Sequence, residues 1–145
     1  MTDATPPEGF EPHDRHSPLT APWEPIFKRL LSDRMQLGLV LREPHTNARG
    51  MVHGGLIAAL ADNSMGYSTG VCLMAEGREI GGLVTVSLST DYIAAGQLGQ
   101  WILFDTDFVK TGGSICFARQ MIYADGEPIA KASATFKIVK PKGAS

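Results

Sequence analysis

Cysteine is scarce. The 145-residue chain carries only Cys72 and Cys116. They stand in no metal-ligand spacing, so two reduced, buried thiols and a cytoplasmic setting are expected. Long apolar runs are missing as well. Arg, Glu, Asp and Lys recur throughout, and no stretch reaches the length of a membrane span. Neither sign of charge is in excess. Lys and Arg number 13 and Asp and Glu 15, a net charge of -2. That balance gives nucleic acid or an anionic membrane surface nothing to favour. The residues from Met1 to Pro7 hold no basic stretch followed by an apolar one, so a secretory leader is not expected. His13, His16 and His45 have no cluster around them, and no metal site is expected.

What is present suits one globular domain with one sizeable core: 43% hydrophobic and 19% charged residues. Five of the nine prolines fall in residues 1–22. That stretch reads as a flexible Pro-rich tail without regular structure, and residues 23–145 as the single domain. Trp23 to Leu31 reads as a short amphipathic turn or helix burying Ile26, Phe27, Leu30 and Leu31. Met35, Leu37, Leu39 and Leu41 alternate as a first strand. Pro44 to Gly50 is a loop by composition.

Beyond Gly81-Gly82 the period is two. Val84, Val86, Leu88 and Thr90 share one face of a strand, and Thr85, Ser87, Ser89 and Asp91 the other. Trp101 to Lys110 is a third strand, with Ile102, Phe104, Thr106 and Phe108 together. Ile115 to Tyr123 and Ala130 to Ile138 are a fourth and a fifth. Tight turns join the last three, which requires antiparallel pairing. Ala130, Ala132 and Ala134 suit close packing against a helix. The expected fold is α+β: an antiparallel sheet of about five strands wrapped around one long central helix.

That helix opens at Val52-His53-Gly54-Gly55 and runs to about Gly70. Leu56, Ala59, Leu60, Asn63 and Tyr67 would share one face. Asp62 interrupts the apolar sequence two turns in, and a carboxylate there needs a reason.

Strand, His-Gly-Gly-opened helix, helix aspartate and meander together resemble the hotdog-fold thioesterases. The branch most alike is the phenylacetic-acid-pathway (PaaI-like) type, over roughly residues 34–140. The resemblance rests on Asn47, His53-Gly54-Gly55 and Asp62 at their spacing, with Tyr92 and Leu98-Gly99 downstream. It implies hydrolysis of an acyl thioester, usually of coenzyme A, by a homodimer or dimer of dimers. Coenzyme A is then part of the substrate, and no cofactor is expected. The family's functional roles fall on Asn47, Gly54, Asp62 and Thr85. Many relatives carry serine at the last position, so Thr85 is bulkier and stiffer.

The chemistry agrees with those residue types. A thioester carbonyl under attack becomes an oxyanion, which needs donors aimed at it. The first amides of a helix have no intrahelical partner and sit at its positive end. Gly54 and Gly55 let a carbonyl approach the backbone closely. Asp62 would be general base on water, or nucleophile through a mixed anhydride. Eight residues of helix span about 12 Å, so Gly54 and Asp62 of one chain cannot reach one carbon. A second copy would supply Asp62.

Asn47 could bind the carbonyl or the water, or merely cap a turn. Thr85, on the non-core alternation, could orient water or Asp62. His53 fits a structural hydrogen-bonding role better than a base. Lys110, Arg119 and the Gly112-Gly113-Ser114 turn could meet the phosphates of coenzyme A. Met65, Met74, Tyr67, Phe104 and Phe117 are candidates for acyl pocket or core. A non-catalytic acyl-coenzyme A or lipid binder and an enoyl-thioester hydratase are the alternatives.

Overall fold

The computed structural model describes residues 5–143. One helix, α1 (Gly54–Ala75), lies against a single antiparallel sheet. The strands are β1 (Glu11–Pro12), β2 (Phe27–Leu30), β3 (Met35–Val40), β4 (Gly82–Tyr92), β5 (Trp101–Lys110), β6 (Ile115–Ala124) and β7 (Glu127–Val139). Their order across the sheet is β1-β2-β3-β5-β6-β7-β4. The wrapped-helix plan matches the expectation, with seven strands where about five were read. No helix among the described residues is long and apolar enough to cross a membrane.

The two extra strands come from the N-terminal third. Trp23 to Leu31 is not a helix. A 3-10 turn at Ala21–Trp23 precedes β2, which pairs with β3 from Phe27↔Gly38 to Leu30↔Met35. Ile26 and Phe27 are buried as expected, but Leu30 is 61% exposed. Backbone pairing to β3 outweighs the weak helical pattern. The segment expected to lack regular structure also differs. β1 pairs with β2, and the His13 N–H donates to the Ile26 carbonyl (2.8 Å). Phe10 meets the Trp101 ring edge-on on the outer sheet face (5.0 Å between centroids). His13 is buried against Tyr67 on the helix side (5.4 Å). The segment thus wraps the sheet edge. Residues 1–4 lie outside the described residues.

Helix α1 runs five residues beyond Gly70. It stops where Gly77 takes φ +73°, the Gly77 N–H reaches the Met74 carbonyl and the Arg78 N–H the Leu73 carbonyl. Its buried face is Leu56, Ile57, Leu60, Ala61, Ser64, Met65, Ser68, Thr69 and Leu73. Leu56 and Leu60 were assigned to that face, whereas Ala59, Asn63 and Tyr67 are only half-buried. Three hydroxyl residues on the buried side blur the sequence pattern. Two have local acceptors: Ser68 donates to the Met35 carbonyl (3.1 Å) and Thr69 to the Met65 carbonyl (2.8 Å).

Three register shifts interrupt the ladders, and two of them reset the alternation that the sequence suggests. On β4 the register shifts between Thr85 and Ser87. Leu83 and Thr85 therefore face the helix side with Ile138 and Phe136, and beyond the bulge Leu88, Thr90 and Tyr92 do so with Ala134, Ala132 and Ala130. The single-face set Val84, Val86, Leu88 and Thr90 is corrected accordingly, as is the non-core placement of Thr85. On β5 a shift between Thr106 and Phe108 turns Phe108 outward beside Arg119, where it is 48% exposed.

The core joins α1 to Leu37, Leu39, Ile102, Phe104, Ile122, Ala130, Ala132, Ala134 and Phe136. Met65 and Phe104 are core, fully buried, while Met74 and Phe117 are 78% and 49% exposed. Phe104→Ala should cost about 3–5 kcal/mol. Urea unfolding followed by circular dichroism checks it, with a lower midpoint and an unchanged slope.

Candidate active site

The loop into α1 is held by a buried histidine. The His45 Nδ1 accepts from the Arg42 N–H (2.9 Å), and its Nε2 meets the Trp23 carbonyl (2.7 Å). Those partners require a neutral ring with the proton on Nε2. Burial pushes the His45 pKa below 6.5, and the Arg42 charge pushes it the same way. The His45 carbonyl in turn accepts the His53 N–H (2.9 Å). This role was not read from the sequence. A histidine just inside a polar loop gives no sign of burial.

Asn47 closes the following turn. Its Oδ1 accepts from the Arg49 N–H (2.9 Å) and the Met51 N–H (3.3 Å). That is the capping role, and it leaves the side-chain NH2 for another partner. His53 is the N-cap of α1, its Nδ1 accepting the Gly55 N–H at 2.8 Å. The structural role assigned to His53 is what the geometry displays, and it occupies the Gly55 amide. The Gly54 N–H, at the first helical position, has no acceptor among the described residues. The Tyr92 hydroxyl donates to the Gly54 carbonyl (2.6 Å). A Cβ on Gly54 would lie 3.2 Å from the Tyr92 ring, so any side chain there needs the ring to give by a few tenths of an ångström. Asn47, Arg49, Gly54, Tyr92 and Ile93 line a cleft of about 340 Å³.

Asp62 lies two turns along α1, half-buried. The Thr85 hydroxyl donates to its Oδ1 at 2.6 Å. This pair exists because the β4 bulge turns Thr85 toward the helix. Asp62 and Thr85 line a second cleft of about 810 Å³ with Arg15, Asn63, Gly66 and Tyr67. The two clefts share no residue. One chain therefore brings Asn47 to Gly54, and Asp62 to Thr85, but not the first pair to the second.

The residues considered for phosphate contact lie elsewhere. Lys110 and Arg119 are on the outer sheet face. Arg119 Nε donates to Asp107 (3.1 Å), its guanidinium over the Phe108 ring. The Gly112 and Gly113 carbonyls accept from Arg78 (2.7 and 3.0 Å). Thr111 donates to Glu76, just past the end of α1 (2.7 Å). This turn, with Ser114, is thus about 33 Å along the helix axis from Gly54.

A sequence profile of the thioesterase superfamily matches residues 49–131. The Pseudomonas aeruginosa protein PA0474, provisionally named an esterase, is 37% identical over 135 residues, covering 91% of this chain and 96% of that one. Human acyl-coenzyme A thioesterase 13 is 36% identical over 77 residues, 53% of this chain and 51% of that protein. Among solved structures, a hypothetical thioesterase from Streptococcus pneumoniae with coenzyme A superposes with a TM-score of 0.72 at 19% identity, covering 92% and 98% of the two chains. A variant of the phenylacetic acid degradation protein PaaI from Thermus thermophilus does so at 0.66 and 19%, covering 79% and 92%. The shared architecture is the hotdog fold.

The neutral His45 carries a pH consequence. The unfolded chain takes up a proton near pH 6.5, and the folded chain only at lower pH. Below 6.5 the unfolded state binds more protons, so stability falls as pH drops through that value. His13, whose pKa is lowered chiefly by burial, acts in the same direction. Urea midpoints at about pH 7.5 and 5.5 should show this loss, and His45→Gln should flatten the dependence.

Proposed function

Because the chain belongs to the thioesterase superfamily, we propose that it hydrolyses acyl-coenzyme A thioesters to the free acid and the thiol, in a centre shared between two copies. The observation that carries this reading is the separation of the two halves. Gly54 with its unpaired amide lines one cleft, and Asp62 with Thr85 lines another. Eight residues of helix put them about 12 Å apart along the axis. A symmetric pair with antiparallel helices brings Gly54 of each copy opposite Asp62 of the other.

Two surfaces support a second copy. The helix leaves one side only half-buried, with Asn63, Gly66 and Gly70 offering little bulk to an approaching element. Among the described residues β4 pairs only with β7, which leaves its other edge free along 11 residues. Val84 and Val86 there are 53% and 60% exposed. In such a pair the partner's Thr111–Ser114 turn falls about 21 Å beyond Gly54. That suits phosphates at the far end of the pantetheine arm. The coenzyme A named with the Streptococcus pneumoniae structure and the activity named for human thioesterase 13 support this substrate class.

The chemistry follows from the geometry. The carbonyl oxygen accepts from the Gly54 N–H at the positive helix end, and the Asn47 NH2 is a second donor. Asp62 from the other copy takes a proton from water as the water oxygen bonds to the carbonyl carbon. The carbon–sulfur bond then breaks, and the proton passes to the thiolate. Attack by the carboxylate itself, followed by hydrolysis of the anhydride, gives the same products. Thr85 fixes the carboxylate rotamer in either route.

Asp62→Asn should lower kcat by about 10²–10⁴-fold on a panel of acyl-coenzyme A thioesters, read as thiol release. Gly54→Val should be comparably poor. Co-refolding the two variants in equal amounts should restore about a quarter of wild-type activity, since each mixed pair keeps one intact site. A mixture as inactive as its parents would sink the shared centre. Binding of coenzyme A thioesters by the wild type without turnover would mark a binder instead.

A further inference from the structure

We propose that Tyr92 is a positioning residue that fixes the direction of the Gly54 amide, and that strand β4 holds both halves of the reactive machinery in one frame. The inference rests on the thioesterase reading and adds a residue to it.

The peptide joining Gly54 to Gly55 is gripped at both ends. The Tyr92 hydroxyl donates to its carbonyl (2.6 Å), and the His53 Nδ1 accepts its N–H (2.8 Å). The peptide before His53 is fixed as well, since the His53 N–H donates to the His45 carbonyl. Between these anchors, the Gly54 N–H is the donor left over. Two glycines at a helix start have no side chains to restrict their dihedrals, and helix ends are the first parts to open. The peptide that carries the Gly54 N–H is itself held at one end, where its His53 carbonyl accepts the Ile57 N–H (3.2 Å), and the Tyr92 grip narrows the swing that remains. Preorganised donors act because they need no reorientation during reaction.

Tyr92 is tied to Asp62 through its own strand. Thr85 and Tyr92 are seven residues apart, an odd separation that would place them on opposite faces of a regular strand. The bulge between Thr85 and Ser87 absorbs one residue, so both face the helix. Thr85 then meets Asp62, and Tyr92 meets Gly54. One edge strand sets the carboxylate and the amide end alike.

The test is Tyr92→Phe in the full chain, which keeps the ring and removes the hydroxyl. The expected result is a kcat lower by about ten- to a hundredfold with KM changed less than twofold, as for a misaimed catalytic group. The melting temperature should fall by no more than a few degrees. The Gly54 backbone amide signal in a ¹H–¹⁵N spectrum should shift or broaden. Wild-type kcat would overturn the proposal, as would a rise in KM alone, which marks a substrate contact. Should the wild type itself turn over no acyl thioester, the thioesterase reading fails, and the Gly54 signal still decides for Tyr92. An unmoved signal then overturns it.

Discussion

A single helix can bury only one side of itself against a sheet, and that constraint shapes the molecule. α1 gives Leu56, Ile57, Leu60, Met65 and Leu73 to the core. The sheet answers with Leu39, Phe104 and Ile122 and with the small Ala130, Ala132 and Ala134, which let the helix sit close. The opposite side of α1 is only half-buried and carries Asp62. The carboxylate therefore escapes the cost of full burial while keeping apolar neighbours along the chain.

Polar groups around the helix start are arranged for direction more than for strength. A buried neutral imidazole at position 45 holds two backbone groups ahead of the helix, while a capping imidazole at 53 and a phenol at 92 each take one in its first turn. A single such bond contributes only about 0.5–1.5 kcal/mol to stability. Their combined effect is to leave the Gly54 N–H as a donor without an acceptor among the described residues.

Much of this plan was legible in the sequence. The helix opening, the meander of the last three strands and the turn at Asp125-Gly126 followed from period, glycine placement and turn chemistry. Both residues of that turn take positive φ, 47° and 84°. The helix aspartate stood out because its neighbours are apolar. The bulges were not legible. An extra residue in a strand changes no composition, yet it reverses the faces on one side of it relative to the other, as Thr85 and Phe108 record. β2 was hidden because four residues carry too little pattern to decide between helix and strand. The burial of His13 and His45 depends on contacts from segments distant in the chain.

The wrap of the first described residues around the sheet has a consequence for growth of that sheet. β1 is only two residues long, and its Pro12 has no N–H to offer. This border of the sheet is blunted against further strands. β4 is the long border that remains open. A molecule with one sticky border and one dull one can add a neighbour on a single side. Any association along the strands would stop at a pair and not run on as a fibre.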